Sequence, residues 1–217
     1  MNTKEFLAEH KVIAICRKVY GENLLRLAEA LCGGGVRLME VTFDQADPDC
    51  LEKTSEAIRM LSEKFAGELL PGAGTVLTSD QVQCAANAGA KYIISPNTSS
   101  EVITGTKKLG LISIPGAMTP TEIITANDLG ADFVKLFPSG YLGFKYIKDI
   151  LAPISHVKLV ATGGVTEENL PEYLKLGFAG AGISGRLCDK ALIADGNYAE
   201  IKARAMGFAA IAAGGQH

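Results

Sequence analysis

One pattern constrains this chain more than any other: short apolar runs alternate with longer segments of helical period. The runs VIAICR, RLMEVTF, LLPGAGTV, YIISP, LISIPG, FVKLFP, KLVATGG and AGAGISG follow one another along the sequence. They recur about every 20 to 30 residues, the spacing of a strand plus a crossover helix. Between them lie stretches such as ENLLRLAEALCGG, LEKTSEAIRMLSEKF, PTEIITANDLGA and YAEIKARAMGFAAIAA, with apolar residues three and four apart. Gly35, Gly89, Gly110, Gly130 and Gly177 each stand between a helical segment and the next run, as C-terminal stops do. Ser79, Thr121 and Thr166 precede acidic residues and are the expected N-caps.

No linker, low-complexity tract or charge block interrupts the alternation, so residues 1–217 read as one domain. Eight βα units predict a single-domain α/β fold, a closed (β/α)8 TIM barrel; an open doubly wound sheet is the alternative. A leading helix, roughly Thr3 to His10, is expected to cap the bottom of the barrel.

Composition narrows the function classes. With a formal charge of −3 and a pI near 5.7, the chain offers no general attraction for nucleic acid or an anionic membrane. Cys16, Cys32, Cys50, Cys84 and Cys188 form no C-x-x-C pair, so neither a zinc site nor a redox motif is indicated, and a reducing compartment fits. The start, MNTKEFLAEHK, lacks the apolar core of a signal peptide, and no apolar run reaches the roughly 20 residues of a membrane span. A cytoplasmic location is expected.

Barrel enzymes carry their chemistry at the C-terminal ends of the strands. Those ends offer Arg17, Glu40, Thr75, Pro96, Lys135, Thr162 with Gly163 and Gly164, and Ser184 with Gly185. His10, His156 and His217 lie elsewhere, which argues against a Ser-His-Asp device or a histidine metal site. Asp44, Asp47 and Asp49 follow the second strand and read as a solvated loop, with a metal site as the alternative. No metal or cofactor is expected.

Within FVKLFP, Phe133, Lys135 and Phe137 share a face while Val134 and Leu136 share the other, so the lysine is buried on either count. Alternation in RLMEVTF sends Leu38, Glu40 and Thr42 inward and Met39, Val41 and Phe43 against the helices. The second and sixth strands are both even-numbered, so Glu40 and Lys135 can share one layer of the barrel. A structural ion pair is one reading, although such pairs contribute little stability. The other is chemical. Burial beside a cation such as Arg17 lowers a lysine toward a free amine that attacks carbonyls, and Glu40 could then move protons around the Schiff base. That is aldol cleavage without a metal. ATGGV and GISGR are placed as the phosphate-binding loops after strands seven and eight, or as plain tight turns. Thr75 either offers a hydroxyl or ends a strand, and Arg17 either clamps a carboxylate or faces solvent.

The stretches GGGVRLMEVTF, GAGTVL, ISP, IPGAMTPTE, FVKLFPS, TGGV and GISG run in order through nearly the whole chain. Together they resemble the class I aldolases of 2-keto-3-deoxy-6-phosphogluconate and 4-hydroxy-2-oxoglutarate. The resemblance implies a homotrimeric barrel in which Lys135 forms a Schiff base with pyruvate and Glu40 shuttles protons. It implies further that Thr75 and Pro96 line the pyruvate pocket, that Phe137 packs beside the lysine, and that Gly163, Gly164 and Ser184 hold the phosphate. The expected substrate is a phosphorylated keto-deoxy sugar acid, cleaved reversibly to pyruvate and glyceraldehyde 3-phosphate, with 4-hydroxy-2-oxoglutarate as a further possibility.

One departure stands out. Family members of the gluconate type usually carry arginine where this chain has Asp44 in EVTFD, and Arg17 is the natural replacement for holding the substrate carboxylate. Arg17, the SPN of Ser95 to Asn97 and the YIK of Tyr146 to Lys148 look more like the 6-phosphogalactonate branch, whereas Thr162 looks more like the gluconate branch. A phosphate-binding isomerase or epimerase, and a non-catalytic sugar-phosphate binding module, are the rival functions.

Overall fold

A computed structural model describes residues 3–141 and 143–214. Its strands are β1 Val12–Cys16, β2 Leu38–Thr42, β3 Leu70–Gly74, β4 Tyr92–Ile94, β5 Ile112–Ile114, β6 Gly116–Ala117, β7 Val134–Leu136, β8 Leu159–Thr162 and β9 Gly180–Ile183. The helices are α1 Thr3–His10, α2 Gly21–Gly33, α3 Cys50–Lys64, α4 Ser79–Asn87, α5 Ser100–Lys108, α6 Pro120–Asp128, α7 Gly143–Leu151, α8 Leu170–Lys175, α9 Lys190–Ala194 and α10 Tyr198–Gly214. Among the described residues no helix is long and apolar enough to cross a membrane.

All strand pairings are parallel, in the order β5-β4-β3-β2-β1-β9-β8-β7-β6. The two ends of that order are halves of one strand, separated by Pro115, which has no N–H to give a ladder. The first half pairs with β4 and the second with β7, while the Ser113 and Pro115 carbonyls accept from the N–H groups of Asp132, Phe133 and Lys135. The sheet therefore closes on itself through Pro115. The eight expected strands form a barrel, and the open sheet is set aside.

Alternation sorts the side chains into two layers. Met39, Val41 and Phe43 pack outward with Val134 and Leu136 in the large core between sheet and helices. Ile13, Leu38, Tyr92, Ile94, Ile112, Ile114, Phe133 and Val160 pack inside the barrel, and Leu7 of α1 closes them from below. The leading helix is thus the bottom cap that the sequence suggested. Above this apolar plug the inward positions turn polar, with Glu40, Lys135 and Thr162 all buried.

The helix stops lie where expected: Gly35, Gly89, Gly110, Gly130 and Gly177 all have positive φ, which L side chains adopt only at a cost. The starts differ. Thr78, not Ser79, caps α4 by accepting from the Gln81 N–H, because Thr78 holds the extended conformation a cap needs (φ −133°, ψ 158°). Thr119, not Thr121, caps α6 in a capping box with Glu122, and Pro120 takes the first helical position. The helix expected to start at Thr166 begins at Leu170, after a turn in which the Thr166 N–H donates to Asn169 Oδ1.

Candidate active site

Lys135 occupies the centre of β7. Its N–H donates to the Pro115 carbonyl at 2.8 Å, and its neighbours across the sheet are Gly116 and Val160. The backbone is therefore locked while the side chain reaches into the barrel, 4% exposed. Nζ lies 4.7 Å from the centroid of the Phe137 ring, a cation–π distance that fixes where the amine points. Glu40 enters from β2 and is 1% exposed, with neither carboxyl oxygen hydrogen-bonded to a described residue. Its carboxyl lies over Gly74, where a β-carbon would overlap it.

The two side chains do not close to an ion pair, so the structural reading of them loses its main support. They still feel each other. Burial pushes the Glu40 carboxyl up, opposed by the charges of Lys135 and Arg17. Burial pulls Lys135 down; Glu40 resists the fall and Arg17 adds to it. Taking an ammonium largely out of water is costly, and losing the proton relieves that cost. The result is an amine that gives up its proton more readily than an exposed lysine does.

A cavity of about 340 Å³ opens at this mouth of the barrel, lined by Arg17, Phe137, Thr162, Gly163, Gly164 and Ser184 with their neighbours. Gly163 and Gly164 have φ of +87° and +77°, so the turn between β8 and α8 requires glycine. Their carbonyls are already held, by the Gly140 N–H at 2.7 Å and by Asn169 Nδ2 at 2.8 Å. What this turn could offer an anion is its N–H groups. Ser184 starts the loop after β9 on the facing wall.

Thr75 and Pro96 stand near the charges without hydrogen-bonding to either. Thr75 follows Gly74 with φ +55°, its carbonyl held by Gln45 Nε2 at 2.7 Å. The Pro96 carbonyl packs against Gly116, the residue paired with Lys135. Asp44 is held by Lys18 at 2.7 Å, and Asp47 and Asp49 by Lys53 at 2.7 and 3.4 Å, so the acidic loop is neutralised by lysines. His10 lies in α1 and His156 precedes β8, both away from this mouth; His217 lies outside the described residues.

Four supporting side chains are not singled out by the sequence. Gln45 accepts from Gln81 at 2.9 Å, and Gln81 accepts from the Leu77 N–H at 2.7 Å, which ties the loop after β2 to the loop after β3. The buried Ser139 hydroxyl donates to the Thr162 carbonyl at 3.1 Å. Tyr92 opens the run YIISP, which reads as an apolar strand. Its inward register, shared with Ile94, was the signal that a hydroxyl enters the barrel.

The model of the family "KDPG and KHG aldolase" matches residues 3–204. The chain is 34% identical over 177 residues to the 2-dehydro-3-deoxy-6-phosphogalactonate aldolase of Escherichia coli K12, spanning 81% of this chain and 83% of the relative. It is 39% identical over 171 residues to the 2-dehydro-3-deoxy-phosphogluconate aldolase of Treponema pallidum, 78% of each chain. Among solved structures, the KDPG aldolase of Legionella pneumophila, with pyruvate captured at low pH as a covalent carbinolamine intermediate, superposes with a TM-score of 0.84 at 29% identity. That match covers 96% of this chain and 98% of the other.

Proposed function

The chain belongs to the KDPG and KHG aldolase family, a carbon–carbon lyase, and on that premise we propose that it works through a Schiff base on Lys135. Its substrate in this reading is a phosphorylated 2-keto-3-deoxy sugar acid, cleaved reversibly to pyruvate and glyceraldehyde 3-phosphate. The observation that carries the proposal is a buried lysine, lowered by its burial, sharing the barrel interior with a buried carboxyl that it does not neutralise. The carbinolamine in the Legionella relative is the same class of chemistry.

Each step has a group to perform it. The neutral Lys135 amine adds to the C2 carbonyl, and loss of water from the carbinolamine leaves an iminium. Glu40 takes the proton of the C4 hydroxyl; the C3–C4 bond breaks, its electron pair passes to nitrogen as an enamine, and the aldehyde departs. Glu40 returns the proton to C3, and water hydrolyses the pyruvate iminium to free the lysine. Arg17 acts electrostatically on both groups and lines the same cavity, so it is the cation for the substrate carboxylate where Asp44 cannot be. Gly163, Gly164 and Ser184 take the phosphate, Thr75 and Pro96 flank the pyruvate, and Thr162 lies beneath the phosphate loop.

The galactonate epimer is the second reading, favoured by the Escherichia coli relative. Family membership is also the ground for expecting a cytoplasmic homotrimer, the assembly being testable by sedimentation equilibrium. The deciding experiment is borohydride reduction in the presence of pyruvate, followed by peptide mapping. We expect an adduct on Lys135 that is missing in Lys135→Ala. Folded wild-type protein without an adduct would leave the isomerase or the binding module standing.

A further inference from the structure

β3 presents two glycines to the barrel interior, and two polar side chains lie across them. A β-carbon on Gly72 would overlap the Tyr92 ring, and one on Gly74 would overlap the Glu40 carboxyl. The register explains the approach: Gly72 is paired with Glu40 on one side and with Tyr92 on the other. The phenol and the carboxyl thus converge from opposite directions over a bare strip of strand two residues, or about 7 Å, long. Tyr92 is fully buried, and its hydroxyl, like both Glu40 oxygens, has no hydrogen-bond partner among the described residues. A phenylalanine would fill the same space. The hydroxyl costs about 1–3 kcal/mol if it stays unsatisfied, so packing does not explain it.

We propose that Tyr92 is a positioning residue for Glu40, its hydroxyl donating through one bridging water to the ionised carboxylate and aiming it at the substrate. A bridge of this kind is nearly as favourable as a direct hydrogen bond and would satisfy the phenol and the carboxylate together. The phenol stays a neutral donor because burial, and then the Glu40 charge, push its ionisation well above the usual tyrosine range. Lys135 from β7, Arg17 after β1 and Cys188 after β9 are the other titratable or charged groups that interact with Glu40, and none of them donates a hydrogen bond to it.

The inference rests on the aldolase reading of Glu40, and the test keeps the two apart. Donation to the carboxylate lowers its proton affinity, so removing the donor raises it, and Glu40 loses its basic form at a higher pH. In Tyr92→Phe, exchange of the pyruvate methyl protons in deuterated water should slow about tenfold. Its acid limb should move up by about half a pH unit or more. Borohydride trapping on Lys135 at a pH above both limbs should match wild type, and circular dichroism should show the same fold. Unchanged exchange with an unchanged limb overturns the proposal while leaving the Schiff base intact. Loss of trapping together with exchange also overturns it, since the phenol would then only shape the lysine pocket. A wild-type chain that traps no pyruvate removes the aldolase reading and this inference with it.

Discussion

Lys135 and Glu40 are best understood as a pair whose charges are left unresolved. Had Nζ closed on the carboxyl, the ion pair would hold both groups ionised and the amine would be useless as a nucleophile. Instead burial dominates each, lowering the lysine and raising the acid. The sign of their coupling gives a prediction. The Glu40 charge raises Lys135 while burial and Arg17 lower it, so removing that charge lowers Lys135 further. In Glu40→Gln the rate of trapping by pyruvate and borohydride should therefore begin its rise at a lower pH than in wild type. Methyl-proton exchange should fall by about 10²- to 10⁴-fold, the usual contribution of a positioned general base. A pH titration of both rates checks this; a limb displaced to higher pH would show that Glu40 is not the charge that holds Lys135 up.

At the scale of elements, β3 shows what could be read in advance and what could not. LLPGAGTV was legible as a strand from its length and flanks, and its place in the order of units put it beside RLMEVTF. The use of its glycines was not legible, because the need for bare backbone arises from side chains on β2 and β4. The expected N-caps lie one to three residues from the observed ones for a related reason. Whether Thr78 or Ser79 caps depends on which residue is extended, and composition does not encode that dihedral. Gly74→Ala tests the importance of the bare strip. A methyl there overlaps Glu40, so relief requires the carboxyl to move or the strands to part, at about 1–3 kcal/mol of overpacking. We expect a lower denaturant midpoint, trapping on Lys135 retained, and exchange reduced at least about tenfold. Exchange at the wild-type rate would mean that Glu40 works equally well from another rotamer.

For the whole molecule, closure was readable because eight units with no spare segment leave a parallel sheet nowhere to end. That the fifth strand splits at Pro115 and pairs with a different neighbour on each side is a tertiary fact, although the proline itself marked where a ladder must break. The closed barrel then divides its interior along the axis, with an apolar plug sealed by Leu7 below and the buried charges above. A cavity of about 430 Å³ beside α1 at the lower mouth is lined by Phe6, Leu69, Leu70 and Lys91, without an opposed pair of titratable groups. Stability and chemistry should therefore separate by depth. Leu7→Ala removes most of a side chain that is 5% exposed against Ile13, Leu38 and Phe133, and should cost about 2–5 kcal/mol in urea unfolding. Its trapping and exchange rates under native conditions should stay within about twofold of wild type, because a truncation in the lower plug is felt chiefly by its own neighbours, and sites more than about 7–10 Å apart usually act independently. Equal losses of stability and of exchange would mean instead that the plug sets the height of β2 and β7, and that the polar layer owes its geometry to the cap beneath it.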